Sequence, residues 1–150
     1  MSPIMNPPIE VTASPAERYV YIRWRTAFMA EDVKAAFNEL RRELRALPVG
    51  YRVIVINNCQ GMDIQSLSMD MARLIGTELG DDIYPRKVIS WATFAELSYI
   101  RKFWQTVKVE GLPLFYSDEF SDLDEAWEWS RERKDADRII AVEYQRRRAR

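Results

Sequence analysis

The apolar residues of this chain alternate between the two-residue period of strands and the 3.6-residue period of helices. Strand-like alternation covers Ile9 to Thr12 and Tyr19 to Arg25, with a short turn between them. A helix-like apolar stripe follows from Ala30 to Leu47, and Pro48 with Gly50 ends it. The pattern therefore predicts two strands followed by one amphipathic helix.

The same alternation continues through the rest of the chain. It predicts a helix from about Ile64 to Leu79, a strand from Lys87 to Ala92, a helix opened by the capping sequence Thr93-Phe94-Ala95-Glu96, a strand from Leu112 to Tyr116 and a last helix capped by Ser121-Asp122-Leu123-Asp124. Leu97 is expected on the buried stripe of the helix that the Thr93 to Glu96 sequence opens. Because Pro113 cannot donate a hydrogen bond to a sheet, its strand is expected at an edge.

The run from Val53 to Ile56 is apolar at every position. Strands of this kind have both faces covered, so this strand is expected near the centre of a sheet. Helical crossovers join parallel strands, and the first strand is expected to enter antiparallel. The pattern thus predicts an α/β fold with a four- to five-stranded mixed sheet flanked by helices, in the order ββαβαβαβα.

Polar residues crowd the turn that follows this central strand, from Asn57 to Ser68. Open α/β sheets place their sites beyond the carboxyl ends of their strands, so we expect the principal protein-binding surface here. The candidate partner-binding residues are Asn58, Gln60, Met62, Asp63, Gln65 and Met69. The polar side chains would orient a partner, and the methionines would offer adaptable apolar contact.

Structural roles compete with binding for several residues of this turn. Asn57 and Asn58 suit hydrogen bonds within a turn. Asp63 suits a helix cap better than a metal ligand. The methionines have helical spacing and suit core packing at least as well. Cys59 is expected to be a small buried residue, because no cation stands beside it in sequence to activate the thiol.

Composition narrows the chemistry that the chain can perform. Its 150 residues are 47% hydrophobic and 30% charged, which fits one globular domain. It has no histidine and one cysteine, which excludes histidine-based catalytic pairs, two-histidine zinc sites and an internal disulfide. The glycine-rich phosphate loops are also missing. We therefore predict no enzymatic activity, no cofactor and no metal, and we expect a reducing, cytoplasmic location. An enzyme that uses carboxylates alone, with Asp63 and Asp70 as candidates, is the third function class left open.

The C-terminal segment is more basic than the rest of the chain. From Arg131 to Arg150, eight Lys and Arg residues stand against four Asp and Glu residues, in a chain of net charge -1. We divide the chain into a loose lead (1–8), a domain (9–130) and a charged extension (131–150). A solvated tail, or a helix docked on an acidic neighbouring subunit, is preferred over a tether to nucleic acid or an anionic membrane. No signal peptide is recognised, and no apolar run approaches the roughly 20 residues that span a bilayer.

The element order and three local sequences resemble the STAS domain superfamily, in particular its stand-alone members similar to anti-sigma-factor antagonists. The three are the acidic helix start at Glu31-Asp32, the turn from Asn57 to Ser68, and the ending in which Leu114 to Glu119 leads into Asp124 to Trp129. The resemblance covers about Ile9 to Ser130. The related CRAL-TRIO lipid-binding proteins share the general pattern.

The resemblance implies a non-catalytic regulatory or scaffolding module that docks to itself or to a protein partner. In the antagonist branch, a serine at the start of the second helix is phosphorylated, and this releases the partner. Here Ile64 and Gln65 stand where serines would follow Asp63. Ser66 and Ser68 come slightly later; capping is their preferred role, with phosphorylation left open. The CRAL-TRIO likeness leaves a small hydrophobic-ligand binding protein of lipid type as the alternative function.

Overall fold

One mixed sheet organises the part of the chain that this computed structural model describes, residues 7–111 and 116–148. The elements in chain order are β1 (Ile9–Ser14), β2 (Tyr19–Trp24), α1 (Ala30–Arg45), β3 (Val53–Asn58), a 3-10 turn (Ile64–Ser66), α2 (Met69–Glu78), α3 (Ile83–Lys87), β4 (Val88–Phe94), α4 (Ser98–Gly111), β5 (Tyr116–Phe120) and α5 (Leu123–Arg148). The five strands lie side by side in chain order. β1 is antiparallel to β2, and the other neighbours are parallel.

The central position of β3 confirms the interpretation of its apolar run. The four side chains from Val53 to Ile56 are at most 1% exposed. Val53 and Val55 belong to the larger core, which the sheet shares with α1 to α4. Ile56 belongs to a smaller core on the opposite face, beneath α5. Helices therefore cover this strand on both sides, as an all-apolar strand requires.

α1 covers the first face with the amphipathic stripe that the sequence predicts. Its buried residues are Val33, Ala36, Phe37, Leu40 and Leu44. Asp32 accepts a hydrogen bond from the backbone N–H of Met29 at 2.8 Å, which fixes the start of the helix. Each fully buried aliphatic or aromatic side chain stabilises the fold by about 1.5–3 kcal/mol relative to exposure. The stripe thus accounts for the docking of α1 on the sheet.

α5 covers the second face. Asp122 accepts hydrogen bonds from the backbone N–H groups of Asp124 and Glu125, which confirms the predicted cap of this helix. Ala126 is fully buried on the sheet, and the Trp127 ring stacks on that of Tyr21 with centroids 6.1 Å apart. The start of α5 therefore has a polar cap, and its first two turns supply the apolar side chains that pack on the sheet.

The same helix continues without a break into the charged extension. Asp137 of α5 forms ion pairs with Arg18, in the turn between β1 and β2, and with Arg52, just before β3. The Arg18–Asp137 pair is 3.3 Å long, and the side chain of Asp137 is only 16% exposed. Part of the segment beyond residue 130 is therefore joined to the rest of the chain by charge-assisted hydrogen bonds.

Two helices begin later in the chain than the sequence pattern predicts. The helix expected from about Ile64 is a single 3-10 turn there, and α2 begins only after Ser68. The capping prediction at Thr93 to Glu96 is wrong, because Thr93 lies inside β4 with its hydroxyl bonded to Asn57. In both places, a strand or turn extends into residues that have good helix-capping chemistry.

Further local differences surround α3 and α4. α3 was not predicted. Leu97 precedes α4 and is 51% exposed, so its expected place on the buried stripe is wrong. β5 lies at the sheet edge, as expected, but begins at Tyr116 instead of ending there. Pro113, which motivated the edge prediction, falls outside the described residues, as do residues 1–6 of the N-terminal lead.

Candidate functional site

Three loops meet beyond the carboxyl ends of β2, β3 and β4. They are residues 25–29, 59–68 and 95–97. The first loop contacts the second through a 3.4 Å hydrogen bond from the backbone N–H of Phe28 to Ser66 Oγ. The third contacts the second through a 2.9 Å bond from the backbone N–H of Glu96 to Gln60 Oε1. We call these loops, with Asn58, Met69 and Tyr99, the carboxyl-end surface.

A buried polar network supports this surface from below. Asn57 is fully buried at the end of β3, and its Oδ1 accepts a hydrogen bond from the indole N–H of Trp24 at 2.7 Å. Its Nδ2 donates to Thr93 Oγ1 at 3.1 Å. One carboxamide therefore bridges β2, β3 and β4 where their loops begin. Satisfied buried networks of this kind hold one arrangement, so the loops start from a rigid base.

The turn after β3 is shaped by short-range contacts at two residues. Asn58 Oδ1 accepts a 3.0 Å bond from the backbone N–H of Gln60, and Asn58 Nδ2 donates to the hydroxyl of Tyr21 at 2.6 Å. Gly61 packs so closely on β2 that a Cβ there would lie 2.5 Å from the carbonyl oxygen of Trp24. Only glycine fits at that distance. The turn chemistry predicted for Asn58 is thus present.

Met62 and Cys59 point into the core. Met62 is only 5% exposed and packs in the larger core, so its predicted role in partner contact is wrong. Cys59 is fully buried, as expected. Burial raises the pKa of its thiol well above the usual range, and the nearby Trp104 indole opposes this shift only in part. The thiol is therefore neutral and screened from solvent.

Two capping side chains order the segment between β3 and α2. Asp63 Oδ1 accepts from the backbone N–H of Gln65 at 2.9 Å and caps the 3-10 turn. Ser68 Oγ accepts from the backbone N–H of Met71 at 3.1 Å and caps α2. The capping roles preferred from the sequence for these two residues are confirmed. Phosphorylation of Ser66 or Ser68 stays a prediction.

Apolar side chains are exposed around this end of the sheet. Met29, Ile64, Met69, Leu97 and Tyr99 are each about half exposed or more. Met69 and Tyr99 also line a groove of about 250 Å³ between α2 and α4, whose other walls include Leu67, Phe103 and Lys102. An exposed apolar groove with polar residues at its rim, such as the one that Met69 and Tyr99 line, is typical of interaction sites.

The predicted contact residues separate into two groups in the structure. Asn58 and Gln60 line a hollow of about 330 Å³ together with Tyr21 and Arg23. Met69 lines the groove between α2 and α4. Asp63 and Gln65 lie between the two groups along the chain, and both are at least partly exposed. A partner that contacts all of them must therefore extend from the hollow to the groove.

Sequence reasoning missed two exposed residues of this surface, Met29 and Tyr99. Met29 ends the loop after β2, and Tyr99 lies in the first turn of α4. The sequence could have indicated both residues, because each follows a strand of the parallel part of the sheet. Apolar residues in such positions meet at one edge with the turn after β3.

The described part of the chain contains no cluster of three or more histidine, cysteine or acidic side chains arranged to hold a metal ion. Within the same residues, no helix combines the length and the apolar character needed to cross a lipid bilayer.

Comparison with known proteins gives one solved structure of related architecture. No protein-family model matches the chain, and no curated protein matches it in sequence. An uncharacterized protein from the DUF3478 family of Shewanella loihica PV-4, whose crystal structure is described as having a SpoIIAA-like fold, superposes with a TM-score of 0.51. The match covers 81% of this chain and 91% of that protein at 14% sequence identity.

This chain has a SpoIIAA-like fold. The expected resemblance in architecture is thereby confirmed, with five strands in one mixed sheet flanked by helices. At 14% identity, the similarity concerns the fold alone and carries no partner, ligand or activity over to this chain.

Proposed function

We propose that this protein is a non-catalytic regulatory or scaffolding module of STAS-like type, which docks to a protein partner or to itself through its carboxyl-end surface. The observation that carries the proposal is the position of Met69. Its side chain is 50% exposed beside the groove between α2 and α4. An unbranched thioether in this position supplies apolar contact that adapts to a partner's shape.

The arrangement of the carboxyl-end surface favours stable docking of a partner, as opposed to a transient encounter. Asn57 and Gly61 hold the turn in one conformation before any partner arrives. Less conformational entropy is lost on binding when a surface is preorganised. The exposed polar side chains of Asn58, Gln60 and Gln65 can then fix orientation, while Met69 and Tyr99 contribute apolar area.

Chemical considerations favour binding over catalysis. The chain has no histidine, and its one thiol is buried with a raised pKa. Asp63 is engaged in capping the 3-10 turn, and Asp70, which directly follows Met69, is exposed and lies 3.6 Å from Arg73. These features leave no paired acid and base at the carboxyl-end surface. A reduced thiol also suits the cytoplasmic location expected from the sequence.

Phosphorylation of Ser68 is a natural form of regulation for such a surface. Ser68 is exposed, lies directly before Met69 and lines the same groove. A phosphate at a helix N-terminus is tolerated electrostatically, yet it adds charge and hydration to an apolar contact. We propose that a phosphate on Ser68 weakens docking without unfolding α2.

The test is comparative affinity capture from native lysate followed by mass spectrometry. Wild-type protein is compared with Met69→Glu, which places a charge beside the groove. Val49→Glu is the matched control, because Val49 is fully exposed in the loop between α1 and β3, at the opposite end of the sheet. The proposal expects a stoichiometric protein partner captured by wild type and Val49→Glu but not by Met69→Glu.

The groove between α2 and α4 also favours the second candidate function, the binding of a small hydrophobic ligand of lipid type. Its cavity of about 250 Å³ lies near the lower limit for ligand pockets, and Lys102 at its wall suits an acidic head group. Native mass spectrometry of purified protein tests this candidate. A co-purifying apolar ligand that Met69→Glu displaces supports it; protein without added mass argues for the interaction module.

A further inference from the structure

The outer edge of β1 offers main-chain groups that no described residue bonds. The backbone N–H of Arg25 donates to the carbonyl oxygen of Pro8 at 2.8 Å. Residues 8 and 25 lie opposite each other in the antiparallel register, so this bond shows which alternate residues of β1 form hydrogen bonds with β2. Every second residue of β1 therefore bonds to β2, namely Glu10, Thr12 and Ser14. The N–H and C=O groups of Ile9, Val11 and Ala13 point away from the sheet.

Within residues 7–111 and 116–148, no strand and no backbone hydrogen bond occupies this edge. β1 pairs with β2 through all six of its residues without a bulge, and Glu10 is its only charged residue. Exposed edge strands are normally protected by charges, bulges or covering segments. The other edge strand, β5, carries adjacent acidic residues at Asp118 and Glu119. Pairing of two β5 strands would bring these like charges together. Two β1 strands can pair without placing one Glu10 opposite the other.

Self-pairing of β1 has one register that satisfies every outward group. Antiparallel pairing about a two-fold axis at Val11 places Val11 opposite its own copy and Ile9 opposite Ala13. All N–H and C=O groups of these three residues then find partners. A shift of the axis to Thr12 would place Ile9 opposite Pro15, which has no N–H to donate.

Side chains agree with the same register. On the face that carries α1, the pairing brings together Ile9, Val11 and Ala13, of which the last two are only partly buried in the single chain. On the opposite face, Glu10 lies across from Thr12 of the second copy and never across from Glu10. The register therefore adds apolar contact and avoids repulsion between like charges.

From this geometry we propose that the protein forms a symmetric dimer through antiparallel pairing of β1 with β1 of a second copy, which continues the sheet across the two-fold axis. The contact is small, so the dimer is weak and reversible. Its surface does not include Met69 or the groove between α2 and α4. The proposal therefore stands or falls independently of the proposed partner-binding function.

Analytical ultracentrifugation of the full chain over a wide concentration range tests the dimer. Thr12 is exposed, so its side chain can be changed without disturbing the fold. Thr12→Glu places Glu opposite Glu10 twice per dimer and is expected to raise the dissociation constant about threefold to tenfold. Thr12→Lys creates two opposite-charge pairs at the same position and is expected to lower it, most clearly at low ionic strength.

A backbone variant provides the second arm. Val11→Pro removes an outward N–H at the axis and leaves the hydrogen bonds between β1 and β2 in place, so it is expected to abolish dimers while circular dichroism shows a folded chain. If Val11→Pro unfolds the chain, the opposite effects expected of Thr12→Glu and Thr12→Lys still test the dimer. Wild-type protein that stays monomeric at every concentration would overturn the proposal. So would a dimer whose dissociation constant changes in the same direction, or not at all, in Thr12→Glu and Thr12→Lys.

Discussion

The indole N–H of Trp24 donates a 2.7 Å hydrogen bond to the carboxamide oxygen of Asn57, and both residues are buried. The bond joins the ends of two neighbouring parallel strands where their loops begin. A polar side chain in this position is a cost unless it is fully bonded, and Asn57 also donates to Thr93. The carboxyl-end surface therefore depends on a buried amide that never contacts a partner.

Replacement of Asn57 by alanine is expected to destabilise the protein by about 1–3 kcal/mol for each buried group left unpaired, here the Trp24 indole and the Thr93 hydroxyl. Urea unfolding followed by tryptophan fluorescence measures the change. Asn58→Ala is the control, because Asn58 is only partly buried and bonds the exposed turn. Equal losses for both variants would show that the buried network has no special role.

The two methionines predicted as partner contacts are expected to behave differently when truncated. Met62→Ala removes a core side chain and should lower the free energy of unfolding by about 2–5 kcal/mol. Met69→Ala removes an exposed one and should change it by about 0.5 kcal/mol or less. Chemical denaturation of both variants provides the comparison. A large loss at Met69 would place its side chain in the core and remove it from the carboxyl-end surface.

Cys59 is expected to resist thiol reagents in the folded protein. Burial raises the pKa of its thiol, so at a given pH the reactive thiolate is scarcer than in an exposed cysteine, and the sulfur is also inaccessible. Labelling with a chromogenic disulfide at mildly alkaline pH should be slow without urea and fast above the unfolding transition. Rapid labelling of folded protein would contradict the burial of Cys59.

The order of the elements and the central strand were predictable because they depend on apolar periodicity, which is a local property. Val53 to Ile56 needs cover on both faces wherever it lies. The sequence could not separate Met62 from Met69, because their burial depends on where each element packs against the rest of the fold: Met62 lies in the core, and Met69 lies exposed at the start of α2. Likewise, Thr93 has the chemistry of a cap, but its pairing with Asn57 across the sheet keeps it in a strand.

The candidate site was predictable in location but not in composition. The turn after β3 was identified because a buried strand ends there in polar residues. Met29 and Tyr99 join it from loops distant in sequence, through contacts that only the folded sheet creates. The short helix α3 was missed because five residues are too few to show a helical apolar period.

Asp81 is expected to make a small, pH-dependent contribution to stability. Its carboxylate accepts a 2.9 Å hydrogen bond from the backbone N–H of Ile83 and lies 3.3 Å from Arg45. These contacts hold its pKa below the usual value, the backbone bond first and the arginine with it. A depressed pKa means that the carboxylate stabilises the fold above its unfolded-state pKa of about 4 and loses this effect as pH falls through the folded-state value.

Asp81→Ala should therefore be less stable than wild type at pH 7, by about 1 kcal/mol as for one lost hydrogen bond. The difference should shrink toward zero as pH falls through the folded-state pKa, which lies below the usual value. Thermal unfolding of both proteins at several pH values measures it. A difference that is constant across this range would assign the effect to packing instead of charge.

The central claim is that a partner protein docks on the carboxyl-end surface, and titration calorimetry of the captured partner tests it most directly. Wild type, Met69→Glu and Val49→Glu are titrated in parallel, after thermal unfolding has shown equal midpoints. The account predicts that Met69→Glu weakens binding by about 1–3 kcal/mol, typical of contacts that matter at interfaces, while Val49→Glu binds like wild type. Unchanged affinity in Met69→Glu, or an equal loss in Val49→Glu, would contradict it.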